Sequence, residues 1–148
     1  MPQDNSGRCR TRSPGFTLIE MLVALAIVGI LAALAVSAYD AASSRTHREA
    51  AAACLGQVVT TLERERAATL AYPTVLPTVA CTSELEGQYR FAGEVGGETF
   101  RLIAEPLGRQ ARADSGCNCT LTLDEGGRKG TAPGDPACAG DARVAACW

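Results

Sequence analysis

A run of residues without charge near the N-terminus limits most strongly what this chain can fold into. Residues 21–39 contain no charged side chain, and within residues 16–39 only Glu20 is charged. As an α-helix rising about 1.5 Å per residue, residues 16–39 extend roughly 36 Å, enough to cross a bilayer core of about 30 Å. Three arginines in residues 1–15 favour a cytoplasmic N-terminus. We therefore expect one membrane-spanning helix and not a secretory signal, whose apolar stretch is usually about 7–15 residues long.

Glu20 lies at the start of this run, where an acidic side chain is unusual. A carboxylate inside the hydrocarbon core costs a few kcal/mol, so such residues usually have a function. A position at the level of the lipid headgroups is the alternative, because there the carboxylate stays hydrated. The position of Glu20 alone leaves both interpretations open.

The residues around Glu20 resemble the N-terminus of type IV pilins and of the related pseudopilins. The matching features are a short basic leader, Gly15, Phe16, Glu20 and the long apolar run that follows. This resemblance implies that a prepilin peptidase cleaves after Gly15 and that Phe16 becomes the N-methylated terminus. It also implies that Glu20 acts in assembly by neutralising the terminal amine of a neighbouring subunit in the filament core, since a buried acid needs a partner.

The resemblance also implies a location and partners. The precursor is expected in the inner membrane as a single-pass protein with its N-terminus in the cytoplasm, and afterwards in the extracellular pilus. Its expected partners are other pilin subunits, bound through the N-terminal helix, the prepilin peptidase and the inner-membrane assembly platform. One residue departs from the pattern, because pilins of this type usually have a proline where this chain has Ser37. The usual cause of a helix kink is therefore missing.

Beyond the apolar run, the sequence predicts a helix with one apolar face and then a small sheet. Apolar residues recur at intervals of four and three: Ala51, Leu55, Val58 and Leu62. Charged residues such as Arg45 and Arg48 are expected on the solvated side. Prolines end the helix after about residue 71. From residue 87 apolar residues alternate on both sides of Gly96-Gly97 and again in residues 120–123, which predicts three antiparallel strands. The expected fold is α+β, a long helix packed on an antiparallel sheet, as in pilins.

These patterns divide the chain into four parts. The expected parts are a leader (1–15), a transmembrane and filament-core helix (16–39), an amphipathic helix half (40–72) and a disulfide-held β-sheet head with a C-terminal loop (73–148). After Lys129 no regular pattern is visible, so cysteines are expected to hold the tail.

Seven cysteines in so short a chain indicate disulfide bonds formed in an oxidising compartment. Six of them follow the leader: Cys54, Cys81, Cys117, Cys119, Cys138 and Cys147. A Cys54–Cys81 bond would tie the helix to the segment beyond the prolines, although spacing alone selects no pairing. The resemblance to pilins adds a loop from either Cys117 or Cys119 to Cys147, with the remaining cysteine paired to Cys138.

No set of residues indicates catalysis, and neither a cofactor nor a metal is predicted. The only histidine, His47, lies among charged residues, where a solvated role is expected. Cys117-Asn118-Cys119 lacks the Cys-x-x-Cys spacing of redox motifs. Residues 124–127, with Asp135 and Asp141, offer the oxygen ligands that calcium prefers, but turn formation explains the same residues.

The charge of the chain argues against nucleic acid as a partner. Removal of residues 1–15 takes away three arginines and one aspartate, so the 14 basic and 16 acidic residues become eleven and fifteen, a net charge of −4. No nucleic acid is therefore predicted, although a local basic cluster is left open around Arg109, Arg112, Arg128 and Lys129.

The sequence thus predicts a structural protein and no enzyme. The resemblance implies a type IV pilus subunit, a minor pilin that supports twitching motility, adhesion or DNA uptake. The alternatives are a type II secretion pseudopilin and a pilus-tip adhesin that binds a ligand through residues 106–148.

Overall fold

The computed structural model describes residues 15–114, 116–132 and 136–148. The chain divides into two compact units, Met1–Val36 and Ser37–Trp148. Helix α1, Leu18–Thr69, contributes to both units. In the first unit the described residues are almost all helical, and their apolar side chains are exposed.

The second unit is built on the C-terminal part of α1, whose apolar face is buried as the sequence predicts. Ala51, Leu55, Val58 and Leu62 are all at most 2% exposed. The helix ends at Thr69, two residues before the predicted end, where Leu70 takes a positive φ of 64°. A left-handed residue of this kind closes the last helical turn.

A four-stranded antiparallel sheet covers this face of α1. Its strands are adjacent in chain order: β1 (Tyr89–Gly96), β2 (Thr99–Pro106), β3 (Leu121–Asp124) and β4 (Lys129–Thr131). Strands β1 and β2 form the predicted hairpin, in which Gly96 pairs with Thr99 and Gly97 has a φ of 64°. A glycine at the first loop position suits a two-residue turn. The sheet side chains at alternate positions complete the core: Tyr89, Phe100, Leu102, Ala104, Leu121 and Leu123.

Tyr72 ties the segment after α1 to this sheet. Its hydroxyl donates to Glu63 Oε1 at 2.6 Å and accepts from Arg66 at 2.9 Å, while its ring meets the ring of Phe100 edge-on at 5.1 Å. Its backbone N–H donates to Gly97 O in the hairpin turn. The chain is therefore held against the sheet immediately after the helix ends.

The expectation of an irregular tail after Lys129 is wrong. Lys129–Thr131 forms β4, Pro136–Cys138 forms a 3-10 helix, and Asp141–Cys147 forms a further helix, α4. Two more short helices, α2 (Ala80–Glu84) and α3 (Gly108–Ala113), were also not predicted. Each element has seven residues or fewer, which is too short to show a sequence period. Contacts with the rest of the fold therefore stabilise it.

Candidate functional site

The N-terminal segment presents Gly15, Phe16 and Glu20 on its surface. Helix α1 begins at Leu18, and the Thr17 hydroxyl accepts a hydrogen bond from the Glu20 N–H at 3.3 Å. This contact caps the helix and satisfies one of its unpaired N–H groups. Phe16 is 78% exposed, and nothing in the described chain lies within 4 Å of a side chain built at Gly15. The predicted cleavage position and the predicted assembly residue are therefore both accessible.

The apolar residues that follow have the properties of a membrane-spanning helix. One stretch of α1 has a mean hydropathy of 2.7 over 18 residues, and none of that stretch is buried. The exposed residues include Leu22, Leu25 and Leu31, each at least 60% exposed. A surface of this kind is stable when lipid or another apolar surface covers it.

A buried polar network joins α1 to the segment before the C-terminal disulfides. Arg48 and Asp114 form an ion pair although each is less than 10% exposed. Gln110 of α3 donates to Ser44 O at 2.7 Å and to the Tyr89 hydroxyl at 3.2 Å. The network therefore connects α1, β1 and α3 with hydrogen bonds inside the core.

Asp114 also acts on the chain that follows it. Its Oδ1 accepts from the Cys117 N–H at 3.2 Å as well as from Arg48. These donors satisfy a carboxylate oxygen that lies in the core. The ion pair thus fixes the start of the C-terminal region against α1. The expectation that Arg48 is solvated is wrong, because the position lies on the same buried stripe as Ser44 and Ala51.

Three disulfide bonds hold the head. Cys54 of α1 is bonded to Cys81 of α2, Cys117 to Cys147 and Cys119 to Cys138. The last two bonds attach α4 and the 3-10 helix to the loop before β3. Because the bonds close 27, 30 and 19 residues, each contributes roughly 3–4 kcal/mol in the chain-entropy model. The sulfurs of Cys117, Cys119 and Cys147 lie close together, but in this state their bonds occupy them and they offer no metal site.

The C-terminal helix is attached to the sheet by a second kind of contact. Trp148 donates from its indole nitrogen to Gly130 O at 2.8 Å, and the Lys129 ammonium lies 5.2 Å from the centre of the indole ring. A cation over an aromatic face is attracted by the ring electrons. These contacts explain how the tail folds although its sequence shows no period.

The Asp124 segment is a turn held by its own hydrogen bonds. Asp124 Oδ1 accepts from the N–H groups of Gly126 and Arg128, each at 3.0 Å, and Oδ2 accepts from Arg128 Nε at 2.7 Å. Partial burial opposes ionisation, but the hydrogen bonds and charge of Arg128 outweigh it and lower the pKa of Asp124. These contacts support the turn explanation over calcium binding. Of the two further acids considered, Asp141 begins α4 and Asp135 lies outside the described residues.

The basic residues that the sequence grouped together line different surfaces. Arg109 forms an ion pair with Asp40 in a groove that also contains the half-buried His47. Arg128 and Lys129 instead line a depression on the sheet, together with Arg101. Arg112, on α3, lines neither of the two. The sequence did not single out Arg101, although its exposed position in a strand next to apolar Phe100 and Leu102 was a usable signal.

Comparison with known protein families agrees with this arrangement. A family described as the prokaryotic N-terminal methylation motif matches residues 10–36. A second family, described as type IV minor pilin ComP, DNA uptake sequence receptor, matches residues 37–122, more than half of the chain. The chain belongs to this family. No solved structure matches the chain.

As a type IV minor pilin, the chain is a structural subunit of a pilus. This minor pilin is anchored in the inner membrane by its apolar helix before assembly, in agreement with its methylation motif. Its family implies contacts with other pilin subunits and processing by a prepilin peptidase. The match favours neither a type II secretion pseudopilin nor a tip adhesin.

Proposed function

We propose that this minor pilin enters the filament through residues 16–39 and binds DNA through its head. Entry requires cleavage after Gly15, N-methylation of Phe16 and pairing of Glu20 with the amine of a neighbouring subunit. The inner-membrane assembly platform receives the processed subunit. The exposure of these residues and the match to the methylation motif support this proposal.

Mass spectrometry of the membrane-extracted protein tests the processing step. We expect Phe16 at the N-terminus with one added methyl group, because the residues around it match a methylation motif and nothing in the described chain covers Gly15. A Gly15→Leu variant should retain the leader, because it changes the predicted cleavage position, while Gly29→Leu serves as a control within the apolar run. Recovery of an intact leader in wild-type cells would contradict the proposal.

The proposed DNA role depends above all on the match of residues 37–122 to a family described as a DNA uptake sequence receptor. This proposal differs from the sequence expectation that no nucleic acid is bound. The expectation used the net charge of the whole chain, which does not report where single cations lie. DNA binding requires only that several cations reach phosphates from one surface.

The outer sheet surface, which we define as Arg101, Thr122 and Arg128, presents two such cations. Two adjoining depressions of about 530 and 220 Å³ share Arg101, Arg128 and Asp124, the partner of Arg128. Within the described chain Arg101 has no carboxylate within ion-pair distance. The side chain of Arg128 is 78% exposed and pairs with Asp124 only through Nε, so its two terminal nitrogens remain for phosphate. The Thr122 hydroxyl adds a neutral donor of the kind that contacts DNA backbones.

Titration of duplex DNA of mixed sequence with the full-length protein in detergent micelles tests this surface. We expect Arg101→Gln to weaken binding about three- to tenfold and to reduce the slope of log K against log salt by about 0.9, the loss of one phosphate contact. Glu94→Gln should strengthen binding, because it removes a carboxylate from the larger depression.

Arg45→Gln is the matched control, since Arg45 is an exposed arginine of α1 that pairs with Glu49. It should leave affinity and slope unchanged. If Arg101→Gln and Arg45→Gln had the same affinity and salt slope, the outer sheet surface would be excluded as the DNA-binding site. Absence of binding by the wild-type protein would exclude the DNA role itself.

A further inference from the structure

The two C-terminal disulfides lie close to each other. The sulfurs of Cys117, Cys119 and Cys147 are all within 4.8 Å of one another, although they belong to two different bonds. Cys138 is bonded to Cys119, so its sulfur adjoins the same cluster. Cys54 and Cys81 form the third bond and do not belong to this cluster.

This distance brings one bond within reach of a thiolate released from the other. Thiol–disulfide exchange needs a thiolate sulfur that approaches a disulfide sulfur, and a side-chain rotation covers the remaining gap. All four cysteines are at most 4% exposed. A sulfur of the same cluster therefore reaches the other bond without opening of the head, whereas an external thiol reaches Cys138 only when the head opens locally.

We propose that the two C-terminal disulfides exchange partners inside the folded head. An external thiol, such as glutathione or a thiol–disulfide isomerase, first attacks Cys138 and forms a mixed disulfide, which releases Cys119 as a thiolate. The Cys119 thiolate attacks Cys147, a Cys119–Cys147 bond forms, and Cys117 leaves as a thiolate. Cys117 then attacks Cys138, and the external thiol leaves unchanged.

The product contains Cys119–Cys147 and Cys117–Cys138 bonds in place of the original two. No net oxidation or reduction occurs, because one thiolate enters and one leaves at every step. The exchange moves the attachment of α4 by two residues along the loop before β3. The head thus has two covalent arrangements that an isomerase interconverts.

The Cys138→Ser variant tests the central step without an external thiol. It leaves one thiol beside the Cys117–Cys147 bond, and alkylation followed by fragmentation mass spectrometry locates that thiol. We expect the label to divide between Cys119 and Cys117, because exchange transfers the thiol from one to the other. A label confined to Cys119 would overturn the proposal.

Cys81→Ser is the matched control. It frees Cys54, which has no second disulfide in its cluster, so the label should stay on Cys54. Wild-type protein incubated with a catalytic amount of glutathione gives a second test that does not depend on the folding of a variant. Appearance of the Cys119–Cys147 pairing supports exchange, and its absence after prolonged incubation contradicts it.

Discussion

Glu20→Val is expected to leave the protein in the membrane and to remove it from filaments. The substitution makes the helix more apolar, so insertion persists, and cleavage after Gly15 persists because the leader is unchanged. In the proposed assembly, however, the Phe16 amine of a neighbouring subunit then lacks a partner in an apolar environment. Loss of one member of a buried charge pair costs about 3–5 kcal/mol. Incorporation should therefore fall by about a hundredfold or more.

The measurement is a blot of sheared filaments against the membrane fraction, with the N-terminus checked by mass spectrometry. Thr17→Val is the matched control, because Thr17 caps the helix through the Glu20 N–H without carrying charge. It should assemble nearly normally, whereas Glu20→Asp should retain part of the incorporation. Normal incorporation of Glu20→Val would return Glu20 to a role at the lipid headgroups.

Asp114→Ala is expected to destabilise the head by about 3–5 kcal/mol, because it leaves the buried Arg48 without its counter-ion. It also removes an acceptor of the Cys117 N–H. Denaturant unfolding of the full chain in detergent micelles, with the disulfides intact, measures the change in the free energy of unfolding. The double variant Arg48→Met, Asp114→Leu should recover most of the loss, since two apolar residues need no partner.

The Arg90–Glu105 pair on the outer face of the sheet provides the control. Its side chains are 65% and 44% exposed, so Glu105→Ala should cost less than about 1 kcal/mol. An equally small effect of Asp114→Ala would show that water reaches Arg48 and that the network does not fix the C-terminal region.

The parts of the fold that sequence could predict are those with a repeating pattern. The helix stripe from Ala51 to Leu62 and the alternation at Phe100, Leu102 and Ala104 follow from a period, and both are buried as expected. The β4 strand could not be predicted, because three residues are too few for a period and their pairing with β3 supplies the stability.

The residues of the candidate sites likewise divide into those that a local pattern predicts and those that only the fold brings together. Gly15, Phe16 and Glu20 follow from a local motif, whereas Arg48 and Asp114 are separated by 66 residues and meet only in the folded head. No local signal in Asp114 indicates its partner. The burial of Arg48, by contrast, could have been predicted from its helical spacing to the buried Ala51. The charge of the side chain suggested an exposed position instead.

The Cys54–Cys81 bond determines how the head responds to mechanical tension. Within the described chain it is the only disulfide that joins α1 to the rest of the head. A pulling force along α1 passes from Cys54 directly to Cys81 and bypasses the residues between them. The two cysteines are 27 residues apart, and this segment would reach roughly 90 Å if it were fully extended. The disulfide prevents that extension. Under tension, other parts of the subunit therefore unfold before this segment extends.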